Sequence, residues 1–516
     1  MTEGGQGAPK RQRVGAIALL LGGSVALSRV VGYVREMILA HQLGAGPATD
    51  AYYAAFQIPD ILNYLLAGGA LTIAFVPFYT RVRDQRGEAA AQRLFETVLG
   101  ATALLAVVAT VALWLAVDDL VPAVFYDFDP VTREQTARLT AILLPAQIFF
   151  VTGGVVRAVL MVEGRFLTHA LAPLVYNGGI IAGGLSTGTP EGFAWGALIG
   201  AVVGPFALPV LDLRRTHSVR ARLALGSGDL RSYLWVALPL MLGLSLTTVD
   251  EWYDKYFGQS VGVGVVAVLG FARRLVQAPI AVVGQAIGVA ALPTLTRLQN
   301  EGRQPEFERV LSGALRAALG LGLLAAAFAL AFARPIVEVV YRHGAFDEQA
   351  AVRTTGVLAI MACAVPAWVV QQVGVRAFYA REEMWRAMFL GTGIVAVALP
   401  LYIFLGREHG AEGLAMAGVL AMTCNAVATL GWARVRFGGP RLRPLLGAGG
   451  RGLVIAGLSA FAARAVIPES MGGFGALAEL AAGGLVFAVL AGGATAWLGD
   501  RPTREGLSRF LARLAS

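Results

Sequence analysis

The residues with the greatest capacity for chemistry are charges set inside apolar runs. The first run carries Arg29, Arg35 and Glu36. The second carries Asp50 and Asp60, and the seventh Asp250, Glu251, Asp254 and Lys255. The eighth opens with Arg273 and Arg274, and Arg157, Arg316, Arg334 and Arg376 complete the set. A charge in hydrocarbon is costly and faces a wet cavity or a partner, so each is a functional candidate. Guanidinium groups match phosphate oxygens bidentately. Arg29, Arg35 and Arg274 are read as functional, and Arg316 and Arg334 as snorkelling groups or structural ion pairs. Arg29 and Arg35 stand about 120° apart on a helix, so both border a broad cavity and do not share one radius. An arginine-lined cavity of this kind suits an anionic, phosphorylated substrate.

Other chemistries are excluded by the residues present. The chain has no Gly-Lys pair, hence no phosphate-cradling Walker loop and no ATP hydrolysis of its own. Its five histidines are scattered without metal-ligand spacing. Gly184-Leu185-Ser186-Thr187-Gly188 fits the GxSxG pattern of a nucleophile elbow, but no strand precedes it. Gly192, Gly196, Gly200 and Gly204 recur every fourth residue and predict close helix approach, not a site. Cys363 and Cys424 lie far apart in apolar runs and read as small packing residues.

The elements that must position these charges are membrane spans. Of 516 residues, 56% are hydrophobic and 15% charged, against about a quarter charged in soluble domains, and the mean hydropathy is +0.65. This excludes a soluble globule, a disordered chain and a coiled coil, and the unbroken apolar runs exclude a β-barrel. The reading is an all-α polytopic membrane protein with about 14 transmembrane helices. They fall near 15–42, 48–80, 93–117, 136–161, 166–186, 192–211, 232–257, 263–296, 307–333, 353–379, 387–405, 413–433, 449–466 and 475–498. The first run precedes many others, so it reads as a span and not a cleaved signal peptide. The net charge of +9 is dispersed between runs, which excludes a nucleic-acid surface.

Alternate connections are basic. Lys10, Arg11 and Arg13 begin the series, which continues through Arg81 and Arg83, Arg214 and Arg215, Arg297 and Arg303, Arg381 and Arg386, Arg434 and Arg436, and Arg501 to Arg513. The intervening connections are acidic or neutral, with Asp118, Asp119, Asp127 and Asp129 in one and Gly188 in another. The positive-inside rule makes the basic side cytoplasmic and places both termini there. The tail 501–516 is basic and amphipathic, suited to the inner membrane surface or to solvent.

The halves repeat. Pro77-Phe78-Tyr79-Thr80-Arg81 matches Pro293-Thr294-Leu295-Thr296-Arg297, and Phe95-Glu96-Thr97-Val98-Leu99 matches Phe307-Glu308-Arg309-Val310-Leu311. Glu134-Gln135 is echoed by Glu348-Gln349, and Val156-Arg157-Ala158 by Val375-Arg376-Ala377. The shift equals six helices, so two parallel six-helix repeats are expected, facing each other across a central cavity, with a C-terminal helix pair outside them. The expected domains are a cytoplasmic tail at 1–13, an N-lobe at 14–222, a C-lobe at 223–440, the pair at 441–500 and the basic tail at 501–516.

Ser28-Arg29-Val30-Val31-Gly32-Tyr33-Val34-Arg35-Glu36, Gly44-Ala45-Gly46, Ala48-Thr49-Asp50-Ala51 and Phe75-Val76-Pro77 resemble the N-terminal signature of the MurJ/MviN lipid II flippases. These belong to the multidrug/oligosaccharidyl-lipid/polysaccharide exporter superfamily. Leu292 to Arg297, Arg342 to Asp347 and Ala377 to Arg381 carry the likeness through the second half. The resemblance implies a transporter and not an enzyme. It would move the undecaprenyl-pyrophosphate-linked peptidoglycan precursor from the inner to the outer leaflet of the bacterial inner membrane by alternating access, for cell-wall biogenesis.

The resemblance also implies site roles. The essential cavity arginines match Arg29, Arg35 and Arg274, with Arg273 beside them, and the acid early in the second helix matches Asp50. The family's sodium aspartate matches Asp254, with Asn425 near the remaining ligands. The second helix has Asn63-Tyr64 where basic residues are usual and Gly68 where an acid is usual. The span around 397–400 lacks the usual polar ligand, and Gly418 stands where a threonine often sits. Weak or absent sodium dependence is therefore expected, because a hard cation needs several oxygens. No cofactor is expected beyond sodium or membrane-potential coupling. The expected partners are lipid II or a related glycan and membrane lipids, and the chain is expected to be a monomer. Rival readings are a flippase for another polyprenyl-linked saccharide, a cation-coupled drug exporter and a non-transporting scaffold.

Overall fold

The computed structural model describes residues 8–67, 70–242, 246–467 and 473–515. Gly68 and residues 1–7 of the expected cytoplasmic tail lie outside them. The described secondary structure is helical throughout, and each of the fourteen expected spans falls on helix in chain order. Eight helices are individually long and apolar enough to cross a membrane, or up to nine counting the bent pair Glu348–Ala362 and Val365–Tyr379 as one, its arms turned by 43°.

Several spans are interrupted for local reasons. The second breaks at Phe56, between Pro47–Ala55 and Gln57–Ala67, and Ala70–Arg86 belongs to the same span. The eighth runs as Val265–Pro279, a π-helical turn Ile280–Gly284 and Gln285–Asn300; the sixth has a π-helical turn at Val202–Ala207. Pro279 and Pro205 lie at these turns, where a residue lacking N–H cannot continue the regular ladder. The longest helix, Met384–Phe437, fuses two expected spans across Gly410, whose φ of 61° suits only a residue without Cβ.

The chain forms two compact units, Met1–Leu242 and Gly243–Ser516. The division falls inside the seventh span, because Gly228–Leu242 packs on the first unit. There Tyr233 is fully buried and meets Phe75 edge-on at 5.9 Å. Around it lies an apolar core that includes Tyr79, Phe95, Val98, Val155, Val159 and Leu213. The glycine stride works as expected. A Cβ on Gly196 would stand 2.3 Å from the Gly179 carbonyl oxygen, and one on Gly183 would stand 2.1 Å from that of Gly192. Only glycine allows Leu167–Thr187 and Pro190–Ala201 to pack this closely. Ser186, of the GxSxG match, lies on the former helix and donates to the Gly183 carbonyl (2.8 Å), an ordinary helical contact.

In the second unit, Gln304–Ala331 is packed by Val365–Tyr379, Leu442–Val466 and the tail helix Arg501–Ala515. The start of that tail is docked and not solvated. Thr503 is buried and donates to the Arg316 carbonyl (3.4 Å), while Arg316 pairs with Asp500 at 3.2 Å. Cys363 and Cys424 are unpaired thiols.

Candidate functional site

Each unit holds an arginine inside a span, and the surroundings differ. In the first unit Arg35 lies on Ala8–Leu43, with its side chain 17% exposed. Its Nη1 donates to Asn177 Oδ1 at 2.9 Å, and Nη2 pairs with the adjacent Glu36 carboxylate. Glu36 is buried and accepts from the Tyr53 hydroxyl at 2.6 Å. Asn177 is anchored in turn, its Nδ2 donating to the Pro173 carbonyl at 2.9 Å. The guanidinium is therefore fixed by groups from three spans. The acid beside it balances its charge, and the Arg35 side chain stays part-exposed. Asp50 is buried on Pro47–Ala55, one turn before Tyr53. Arg29 is half-buried and has no ion pair among the described residues.

Sequence reasoning missed Asn177 and Tyr53. The signal for Asn177 was present: it is a lone amide in an apolar span, and such groups are buried only with partners.

In the second unit Arg273 is closed in. Its Nε donates to Asp254 Oδ2 at 2.9 Å, and Nη2 reaches the same oxygen. Its Nη1 donates to Asp250 Oδ2 at 2.5 Å. The Tyr402 hydroxyl donates to Asp250 Oδ1, and the Trp368 ring centre lies 5.9 Å from the guanidinium carbon. Arg273, Asp250, Asp254 and Tyr402 are all buried. Arg273, expected to meet substrate with Arg274, thus has its donors directed at two carboxylates. Arg274 is half-buried, and one residue along a helix turns the side chain by about 100°, away from that cluster.

The expected sodium ligands are in part already engaged. Asp254 Oδ2 is taken by Arg273, and its Oδ1 is buried without a hydrogen-bond partner. Asn425 is buried on Met384–Phe437 and makes no hydrogen bond to Asp254. Among the described residues no group of three or more His, Cys, Asp or Glu side chains is placed to hold a metal. A guanidinium already sits between the carboxylates, where a second cation would meet like charge. The departure at Gly418 has a steric cause. A Cβ there would lie 2.9 Å from Asp250 Oδ1 and 3.1 Å from the Tyr402 hydroxyl, so the threonine side chain has no room.

The arginines expected to be structural are paired. Besides Arg316, Arg334 contacts Glu338 and Glu348. Arg157 donates to the Pro205 carbonyl at 2.6 Å, at the π-helical turn.

The family model described as lipid II flippase MurJ matches residues 39–467. A probable lipid II flippase MurJ of Bdellovibrio bacteriovorus is 28% identical over 452 residues, covering 84% of this chain and 85% of that protein. The lipid II flippase MurJ of Burkholderia cenocepacia is 27% identical, covering 75% and 77%. A solved lipid II flippase MurJ in an inward closed conformation superposes with a TM-score of 0.78 at 18% identity, over 92% of this chain and 99% of that one. An inward-facing multidrug resistance MATE family transporter of the MOP superfamily gives 0.66 at 19% identity, over 80% and 94%. With most of its length matched, the chain belongs to the MurJ lipid II flippase family.

Proposed function

We propose that this protein carries lipid II across the cytoplasmic membrane, from the inner to the outer leaflet. It is a multi-pass membrane transporter and not an enzyme. The observation that carries the reading is Arg35, a guanidinium retained inside an apolar span and held by Asn177 and Glu36 with part of its fork exposed. A pyrophosphate leaving the headgroup region loses water and counterions, and fixed guanidinium donors replace them. In this reading Arg29, Arg35 and Arg274 contact phosphate. Glu36 balances Arg35 when no substrate is present, and Asp50 supports the same end of the first unit. Asp250 and Asp254 hold Arg273 as part of the second unit's frame. Movement follows alternating access by a monomer with both termini in the cytoplasm, without sodium.

The test is complementation of a cell depleted of its own lipid II flippase. Growth and outer-face exposure of lipid II should return with the native chain and fail with Arg35→Ala or Arg274→Ala at equal membrane abundance. Failure of the native chain to complement at normal abundance would sink the reading.

A further inference from the structure

The first unit contains a cavity of about 240 Å³.

 A separate, largely apolar cavity of about 380 Å³ lies in the second unit, lined by residues such as Ile287, Val310 and Leu321.

The 240 Å³ cavity is lined by Phe56, Asp60, Asn63, Gln147, Phe150 and Tyr176, with Leu143 and Ala146 behind them. The spacing explains the lining: Phe56, Asp60 and Asn63 recur at helical stride on the second span, and Leu143, Gln147 and Phe150 on the fourth. Asn63 Nδ2 donates to Gln147 Oε1 at 2.7 Å. Gln147 is 95% buried, at 5% exposure, yet its Nε2 donates to no described residue. Phe150 and Tyr176 meet edge to face at 5.1 Å. Tyr176 is followed in the chain by Asn177, which holds Arg35.

We propose that this cavity is a saccharide subsite, receiving the sugar joined to the pyrophosphate that Arg35 contacts. The proposal rests on the phosphate reading of Arg35 only for its neighbour, and the test below separates the two. A sugar presents hydroxyl or acetamido groups that both donate and accept, on a ring with apolar C–H faces. The wall supplies the complement: amide N–H donors from Gln147 and Asn63, acceptors at Asn63 Oδ1 and Asp60, and aromatic surface from Phe56, Phe150 and Tyr176. A phosphate does not suit it, because Asp60 is a carboxylate. The first sugar is bonded to the pyrophosphate, and Tyr176 of the cavity wall shares a helix with Asn177, the Arg35 anchor, so one unit supplies both contacts. Asn63 thereby gains a role that the basic residues usual at its position would not serve.

The experiment measures binding of the purified full chain in nanodiscs to two lipids: undecaprenyl pyrophosphate, and a peptide-free undecaprenyl-pyrophosphate-linked amino sugar. The native chain should prefer the sugar-bearing lipid. Asn63→Ala and Gln147→Ala should each reduce that preference about three- to tenfold, the loss of one or two neutral hydrogen bonds, without changing affinity for the bare lipid. If Gln147→Ala does not fold, Asn63→Ala, at a half-buried position, decides. Equal affinity of the native chain for both lipids, or an unchanged preference in the folded variants, overturns the subsite. So does competition by an organic cation that depends on Asp60 and ignores the sugar. Arg35→Ala should weaken both lipids alike; if it weakens neither while Asn63→Ala removes the preference, the phosphate reading fails and the subsite stands.

Discussion

Arg35 and Arg273 are the same residue type in the same kind of span, and the structure uses them differently. Arg35 faces one acid and one amide, and 17% of its side chain is exposed. Arg273 faces two acids, its side chain is 6% exposed, and a tyrosine closes one of those acids from the other side. The first arrangement sets one guanidinium beside one acid and leaves the side chain part-exposed. The second sets its guanidinium between two carboxylates and directs Nε, Nη1 and Nη2 at them. A charge in a span is thus no guide to function until its partners are counted. The carboxylates around an arginine decide whether it binds a ligand or holds the frame.

The largest effect should come from Arg273→Ala. It leaves Asp250 and Asp254 buried beside each other without their cation, and breaking a buried pair from one side costs about 3–5 kcal/mol. Thermal unfolding in detergent should show severe destabilisation. Adding Asp250→Asn and Asp254→Asn should recover much of it, since the penalty lies in the uncompensated charges. A folded Arg273→Ala protein of native stability that fails only to bind lipid would reverse the comparison.

Next in size is transport through Arg35. Arg35→Ala should abolish flipping while leaving the protein folded, and Arg35→Lys should restore part of it, lacking the planar fork. Asn177→Leu keeps the guanidinium but removes one charged hydrogen bond, worth about 1.5–3 kcal/mol. Flipping should fall roughly tenfold or more. Native flipping in Asn177→Leu would remove Asn177 as a positioning residue.

Smaller effects are expected at the Asp254 and Gly418 positions of the second unit. The native chain should flip lipid II and melt equally in sodium and potassium salts. Gly418→Thr should cost about 1–3 kcal/mol by overpacking against Asp250 and Tyr402. Tyr402→Phe removes the hydroxyl from that contact, so the two changes should couple and not add. A saturable, sodium-specific stimulation of the native chain would show that Arg273 does not fill the cation position.

Much of this was legible in the sequence. The spans were, because an apolar run of crossing length has few alternatives to helix, and so was the glycine stride, because close packing requires it. The partners of Arg273 were not. Arg273 and Arg274 are adjacent and differ by about 100° around the helix, so which of them meets Asp250 and Asp254 depends on helix rotation, which tertiary packing sets. Asn63 and Gln147 lie on different spans, and nothing local pairs them. The breaks near Pro205 and Pro279 had a visible cause, but that a π-helical turn would absorb each was not readable.

The smallest effect tests the comparison at the water-exposed end of the second unit. Glu348 contacts Arg334 and lies 2.7 Å from Arg342, while buried Glu338 contacts both arginines. The hydrogen bond from Arg334 holds the Glu348 carboxyl below its ordinary range. A depressed acid contributes stability that is present above its unfolded value, about 4.3, and lost as pH falls through the lower folded value. Glu348→Gln should therefore lower the melting temperature slightly at pH 7, and the difference from the native chain should shrink as pH falls below 4. Exposed charges are screened by water and salt, so the shift should also shrink in high salt, unlike that of Arg273→Ala. A salt-independent loss as large as that of Arg273→Ala would place Glu348 in the frame and remove the distinction between exposed and enclosed arginine networks.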